Sequence, residues 1–106
     1  MMLVGQLRQY GFQAKTEVKF NGGYADIYTN WQGNTIIEIK KYLTRKTIYE
    51  AFGQLNLYSR GGDYKLVIAG FNPSDPNEQE SSLRIASIVE QDGRVQVLFI
   101  DANSSY

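Results

Sequence analysis

The fold is decided by the stretch from residue 24 to residue 41, which reads YADIYTNWQGNTIIEIKK. Two strand-like segments, 24–29 and 35–41, flank a turn in which Gly33 suits the positive φ of a short hairpin loop closed by a bulge. If the hairpin closes about Gln32, Asp26 faces Glu38, because both are equally distant from the centre of the turn. The stretch therefore predicts an antiparallel strand pair that carries two carboxylates on facing positions.

The segments around this hairpin predict one mixed sheet with helices packed on its faces. Apolar spacing indicates helices, alternation indicates half-buried strands, and a continuous apolar run such as YKLVIAGF indicates a strand buried on both faces. The predicted order is α-β-β-β-α-β-α-β, an α/β fold in which a meander is followed by crossover helices. The predicted helices span 2–10, 47–58 and 78–90, and the remaining strands span 12–20, 64–71 and 95–100.

Two details of the helices follow from the same patterns. Thr47 and Glu50 have the spacing of a capping box, which predicts that the second helix begins there and ends before Gly61-Gly62. The third helix is predicted to follow a loop that contains both prolines. Its predicted inward positions are Leu83, Ile85, Ala86 and Val89.

Composition limits both the architecture and the chemistry. The chain has 106 residues, 42% of them hydrophobic, and contains neither His nor Cys. These figures fit one globular domain spanning 1–106 and exclude disulfides, thiol chemistry, zinc fingers and His-based triads. No apolar run approaches the roughly 20 residues of a membrane span, and the N-terminus does not resemble a secretion signal. We therefore expect a cytoplasmic protein that does not insert into a membrane.

The net charge is zero, but the charge is unevenly distributed. Residues 1–60 carry eight basic and four acidic side chains, and residues 61–106 carry three basic and seven acidic ones. The two halves therefore have net charges of +4 and −4. Such asymmetry is typical of a polyanion-binding face backed by an acidic one, and it also arises from scatter among surface residues.

The candidate chemistry is concentrated on the facing strands. Glu38 and Lys40 point to the same face of their strand, and Asp26 faces Glu38. Two carboxylates on directly facing positions repel each other, and a cation between them would remove the repulsion. The plainer interpretation is a solvated strand face, but the neighbouring isoleucines indicate a central strand, on which charged side chains need a cleft that admits water.

These residues resemble the bipartite signature of the PD-(D/E)XK nuclease superfamily. Gly23-Tyr-Ala-Asp26 and Ile37-Glu-Ile-Lys40 correspond to its two motifs, with eleven residues between Asp26 and Glu38. The following helix carries Gln54-Leu-Asn-Leu-Tyr58, similar to the Gln-x-x-x-Tyr element of several branches. The resemblance implies a restriction-endonuclease-like αβββαβ core over about residues 1–71, with the last helix and strand added.

The resemblance also implies roles for individual residues. Asp26, Glu38 and the backbone carbonyl of Ile39 would hold Mg²⁺, with Mn²⁺ as a substitute, and Lys40 would act on the attacking water. Gln54 would hold that water or a phosphate oxygen, or is simply a solvated amide. Tyr58 is expected to be core packing.

Residues outside the motif strands extend the prediction to the substrate. Lys41, Arg45 and Lys46 precede a predicted helix N-terminus and would contact the phosphate backbone of DNA, unless they line a solvated loop. Trp31, at the hairpin tip, would stack on a base or pack at a subunit interface.

The chain departs from the family pattern in three places, which are Ala25, Gln6 and its length of about the minimal core without an appended DNA-reading module. Ala25 replaces the Pro of the family name. Gln6 stands on the first helix, where junction-resolving members have Glu. Glu17, on the first strand, is a further carboxylate that would join the site if its side chain shares the face of Asp26.

The sequence therefore predicts a Mg²⁺-dependent DNA endonuclease that acts as a homo-oligomer. Its first alternative is a catalytically silent nuclease-fold protein that binds nucleic acid or a partner protein. The second alternative is a plain interaction domain with accidental charges. Intact Asp26, Glu38 and Lys40 favour the enzyme.

Overall fold

The computed structural model describes residues 2–100, and the chain forms three helices and five strands in the predicted order. The helices are α1, Met2–Gln9; α2, Arg45–Tyr58; and α3, Pro76–Val89. The strands are β1, Ala14–Phe20; β2, Gly23–Thr29; β3, Thr35–Tyr42; β4, Lys65–Phe71; and β5, Val95–Ile100. No helix within residues 2–100 has the length and apolar character needed to cross a membrane.

The five strands form a single mixed sheet in the order β1-β2-β3-β4-β5. The first two junctions are antiparallel and the last two are parallel, because α2 and α3 return the chain to the starting edge for β4 and β5. This arrangement confirms an α/β fold with a mixed sheet. It also places β3, which carries the Glu-x-Lys motif, in the middle of the sheet.

Helices cover both faces of the sheet, which gives two apolar cores. The larger core joins α2 and α3 to one face through Ile48, Leu55 and Ile85, which pack with Ile36 and Ile68. The smaller core joins α1 to the opposite face. Its buried members are Val4, Leu7, Ala14, Ile27, Ile37, Val67 and Ala69. Alternate residues of β3 therefore point into different cores, as its period of two requires.

The start of α2 differs from the prediction. The N-cap is Thr44, whose hydroxyl accepts a hydrogen bond from the Thr47 amide at 3.2 Å, while Thr47 Oγ1 accepts one from the Thr44 amide at 2.9 Å. Thr47 is therefore the third residue of the helix rather than its cap, and Glu50 is not part of the box. The prediction was wrong because a Thr can fill the N3 position that the motif assigns to Glu or Gln. The helix ends at Tyr58 with Ser59 as its C-cap, ahead of the two glycines.

The third helix begins earlier than predicted and buries a different residue. Asp75 is its N-cap, and Pro76 occupies the first helical turn, where its missing amide hydrogen costs nothing. Leu83, predicted to point inward, is 55% exposed. Ser82 is buried in its place and donates a hydrogen bond from its hydroxyl to the Gln79 carbonyl.

Candidate active site

The candidate site lies where the pairing between β2 and β3 changes from backbone to side-chain hydrogen bonds. Backbone pairing runs from Thr29 and Thr35 to Ile27 and Ile37, in the register expected for a hairpin centred on Gln32. At the next positions the amide of Asp26 donates to Glu38 Oε1 at 3.2 Å, and the amide of Ile39 donates to Asp26 Oδ2 at 2.7 Å. The two carboxylates thus replace backbone acceptors and are held beside each other.

Glu38 is buried, and its environment opposes ionisation. It is 3% exposed, and its pKa is raised from 4.5 to about 7, with burial as the largest cause. The negative charge of Asp26 raises the pKa further, whereas the bond from the Asp26 amide and the charge of Lys40 lower it. A buried carboxylate next to another carboxylate is the electrostatic situation that a bound cation relieves.

A β-bulge follows Ile39 and sets the position of Lys40. The parallel pairing of β3 with β4 runs through Ile39 and Ala69, then resumes at Tyr42 and Phe71 with one extra residue on β3. Bulges bend a strand and redirect side chains, and they are frequent beside active sites. Gly70 makes this bend possible, because a Cβ there would lie 2.3 Å from the Lys40 carbonyl oxygen. The sequence offered one signal for this role, a glycine inside a continuous apolar strand.

The Gln-x-x-x-Tyr element of α2 faces the carboxylates. Burial raises the pKa of Tyr58, the charges of Glu38 and Asp26 raise it further, and hydrogen bonding with Gln54 lowers it. Tyr58 is 6% exposed and packs in the larger core, as predicted. Its hydroxyl also lies close enough to both carboxylates for their charges to raise its pKa. Gln54 Oε1 is buried and has no hydrogen-bond partner among the described residues. An unpaired buried acceptor is costly, so this amide is poised for a donor such as water.

Glu17 and Gln6 occupy different positions relative to the pair. The register of β1 with β2 places Glu17 opposite Asp26, between the pairs Thr16–Ile27 and Val18–Ala25. Glu17 has a φ of 53°, which is unusual for a residue with a side chain, and it lines a cavity of 380 Å³ with Asp26. Gln6 stands on α1, which packs on the face opposite to Glu38.

The three predicted DNA-contacting residues are exposed at the end of β3 and the start of α2. Lys41 Nζ lies 5.7 Å from the ring centroid of Tyr42, and the guanidinium of Arg45 lies 5.2 Å from that of Tyr49. The two ion pairs found within residues 2–100 involve neither these side chains nor Lys46, so all three are available to an anion. Trp31, by contrast, is half-buried against the smaller core rather than projecting from the hairpin tip.

The donor set of the pair suits a hard cation. Asp26 and Glu38 each use one oxygen in the bonds to backbone amides, and no residue between 2 and 100 donates to the second oxygen of either. Mg²⁺ prefers carboxylate oxygens and keeps several waters, so two carboxylates and a carbonyl fit it. The same part of the chain contains no group of three or more Asp, Glu, His or Cys side chains arranged to hold a metal ion.

Comparison with known proteins returned no match among family models, curated proteins or solved structures. The resemblance to the PD-(D/E)XK superfamily therefore stays a prediction from the motif residues.

Proposed function

We propose that this protein is a metal-dependent DNA endonuclease with a restriction-endonuclease-like core. The observation that carries the proposal is the Asp26–Glu38 pair, held where the β2–β3 ladder opens and accompanied by Lys40 on the same strand. Phosphodiester hydrolysis requires an activated water and neutralisation of charge on phosphorus. Two carboxylates that favour a cation, next to a lysine, supply the groups for both tasks.

Both residues of the pair would hold the metal in this proposal. Asp26, Glu38 and the Ile39 carbonyl would hold Mg²⁺, which supplies Lewis acidity at the scissile phosphate when bound. The amide of Ile39 fixes the rotamer of Asp26, and the amide of Asp26 fixes that of Glu38. This mutual restraint keeps the two free oxygens in place before substrate arrives, which reduces the reorganisation that catalysis needs.

Lys40 and Gln54 would act on water and phosphate. The ammonium of Lys40 lies close enough to lower the pKa of Glu38, so it also offsets negative charge that develops at this position. Gln54 presents a buried carbonyl oxygen that lacks a donor, and a water molecule can satisfy it. These two groups would therefore orient the attacking water beside the carboxylate pair.

The exposed cations at the start of α2 would position the duplex. Lys41 lies at the end of the motif strand, Arg45 and Lys46 begin α2, and the first turn of α2 contains no acidic side chain. Contacts of this kind to phosphates provide affinity without sequence readout.

The test is a cleavage assay on plasmid, linear, forked and four-way DNA with Mg²⁺, Mn²⁺ or EDTA. We expect cleavage with either metal and none with EDTA. Asp26→Asn, Glu38→Gln and Lys40→Met should each reduce the rate by at least about a hundredfold, because each removes a group that acts in the chemical step.

The matched controls are Asp63→Asn, Glu50→Gln and Lys65→Met, which change the same residue types at exposed positions. They should cleave like the wild type. Cleavage that survives all three motif substitutions would refute the proposal. Wild-type protein that binds DNA but cleaves no substrate with either metal would instead support the silent nuclease-fold alternative.

We also propose that the working unit is a homo-oligomer. One site handles one strand at a time, so cutting both strands of a duplex requires a second copy, and symmetry supplies it most simply. Light scattering at micromolar concentration, with and without DNA, measures this directly. A monomeric mass in both conditions would leave at most a nicking activity.

A further inference from the structure

A second cavity lies beside the candidate active site and has a different chemical character. It has a volume of 500 Å³, within the range of about 300–1,000 Å³ that is usual for small-molecule pockets. Its side chains come from the end of β1, the turn after it, the end of α2 and the start of β4. They are Lys19, Phe20, Asn21, Tyr58, Arg60 and Tyr64.

Aromatic rings form the apolar part of this cavity. Phe20 lies 5.7 Å from Tyr64 in an edge-to-face arrangement and 6.4 Å from Tyr58 in a stacked one, measured between ring centroids. Phe20 and Tyr64 are only half-buried, so parts of both rings remain open to the cavity. Gly62 leaves room for this arrangement, because a Cβ there would lie 2.2 Å from the Tyr64 ring.

Cations and hydrogen bonds form the polar part. Lys19 and Arg60 are exposed, and neither takes part in an ion pair within residues 2–100. Asn21 donates from its side-chain amide to the Arg60 carbonyl at 3.1 Å, which ties the β1–β2 turn to the chain after α2. Among the described residues the lining includes no carboxylate, and nearby Asp63 lines a separate cavity with Lys65 and Arg94. The charge of the lining therefore favours an anion over a cation.

Aromatic surface combined with unpaired cations is the recognition chemistry of single-stranded nucleic acid. Bases stack on aromatic rings whatever their sequence, and lysine and arginine hold the phosphates. A base within a duplex cannot reach such a cavity without leaving its stack. The occupant that fits is thus an unpaired nucleotide.

The position of the cavity connects it with the carboxylate pair. Tyr58 lines the cavity, and the charges of Asp26 and Glu38 act on the same hydroxyl. Along β2, Gly23 pairs with Phe20 and lies three residues before Asp26, or about 10 Å.

We propose that this cavity binds an unpaired nucleotide of the substrate strand and directs the nuclease to single-stranded or branched nucleic acid. Its link to catalysis rests on the proposed function. Its binding chemistry does not, so the two can be tested separately.

The experiment measures binding in EDTA, where no metal-dependent cleavage occurs. The probes are a thymidine oligonucleotide with one central 2-aminopurine, its uridine counterpart and the corresponding DNA duplex. Wild-type protein should bind a single strand more tightly than the duplex and quench 2-aminopurine, since stacking on an aromatic ring quenches this base. Preference for one single strand over the other identifies the sugar, and either supports the proposal.

The variants separate stacking from phosphate binding. Tyr64→Leu should weaken single-strand binding about tenfold and reduce quenching while leaving duplex affinity unchanged. Arg60→Gln should also weaken single-strand binding, and Lys15→Gln, an exposed change on the same strand as Lys19, should not. Far-ultraviolet circular dichroism checks that each variant is folded.

Several results would overturn the proposal. Equal affinity for single strand and duplex would exclude selection of unpaired nucleotides. If Arg60→Gln weakens binding but Tyr64→Leu changes neither affinity nor quenching, the cavity binds phosphate alone. A protein that binds single strands in EDTA as expected but never cleaves with metal would refute the proposed function and leave this inference standing.

Discussion

The two edges of β3 differ in how they pair with the neighbouring strands. Toward β4, the parallel ladder runs through Glu38 and Ile39, which pair with Ile68 and Ala69, and resumes at Tyr42 after the bulge. Toward β2, backbone pairing ends at Ile27 and Ile37, and the next connections use the carboxylates of Asp26 and Glu38. The β4 side of the strand therefore supplies stability, which allows the β2 side to hold a buried charge that costs free energy.

The largest loss of stability is expected from a substitution on β4, which pairs with β3 on the side away from the carboxylates. Ile68 is fully buried opposite Glu38, so Ile68→Ala should lower the free energy of unfolding by about 2–5 kcal/mol, through lost burial and the cavity left behind. Urea denaturation measures the loss. Ile88→Ala, at a position that is 56% exposed, is the matched control and should change stability little. Equal losses at both positions would contradict the assigned role of the β4 side.

A smaller loss of stability is expected from a substitution beside the bulge of β3. Gly70→Ala places a methyl group against the Lys40 carbonyl oxygen, so it should destabilise the protein by about 1–3 kcal/mol and displace Lys40. Cleavage should therefore fall more than the loss of stability explains, when both are measured on the folded fraction.

The control for this substitution is Gly53→Ala. A Cβ at Gly53 meets no atom within 4 Å, and alanine is the better helix former. Gly53→Ala should therefore leave the protein equally or more stable. Wild-type activity in Gly70→Ala would show that the bulge does not position Lys40.

The smallest expected effect concerns the cost of the buried charge. The folded-state pKa of Glu38 is about 7, above its ordinary value of 4.5, so the native state binds more protons than the unfolded state between these values. Stability from this group is complete below about pH 4.5 and is lost as the pH rises through 7. In EDTA, Glu38→Gln should therefore stabilise the protein above pH 7 by on the order of 1 kcal/mol.

Thermal unfolding as a function of pH measures this difference. The advantage of Glu38→Gln over the wild type should shrink as the pH falls below 7 and disappear below about 4.5, where Glu38 becomes protonated in both states. Glu50→Gln, an exposed change on α2, should show no such trend. A wild-type protein more stable than Glu38→Gln above pH 7 would mean that the carboxylate is not under electrostatic strain.

Local patterns predicted the sheet and the carboxylate pair because both depend on short-range signals. The hairpin turn fixes the register of β2 and β3, so the meeting of Asp26 and Glu38 follows from positions in sequence alone. The identity of β3 as a central strand follows from its run of isoleucines. Element order was likewise correct throughout residues 2–100.

Features that depend on contacts between residues far apart in the sequence could not be predicted from local patterns. The bulge after Ile39 requires Gly70, which is thirty residues away, and no local pattern connects them. Leu83 satisfies helical periodicity but lies outside the core, because the neighbouring Ser82 fits the buried position of α3. Trp31 packs on the smaller core, which its place in a turn does not reveal.

We propose that Asp26 and Glu38 together form a cation site, and isothermal titration with Mn²⁺ measures the affinity of that site. Wild-type affinity should rise as the pH increases through about 7, because Glu38 must lose its proton to bind the metal. Glu38→Gln and Asp26→Asn should bind far more weakly and lose this pH dependence, whereas Glu50→Gln should match the wild type. Equal Mn²⁺ affinity in the wild type and Glu38→Gln at every pH would contradict the account.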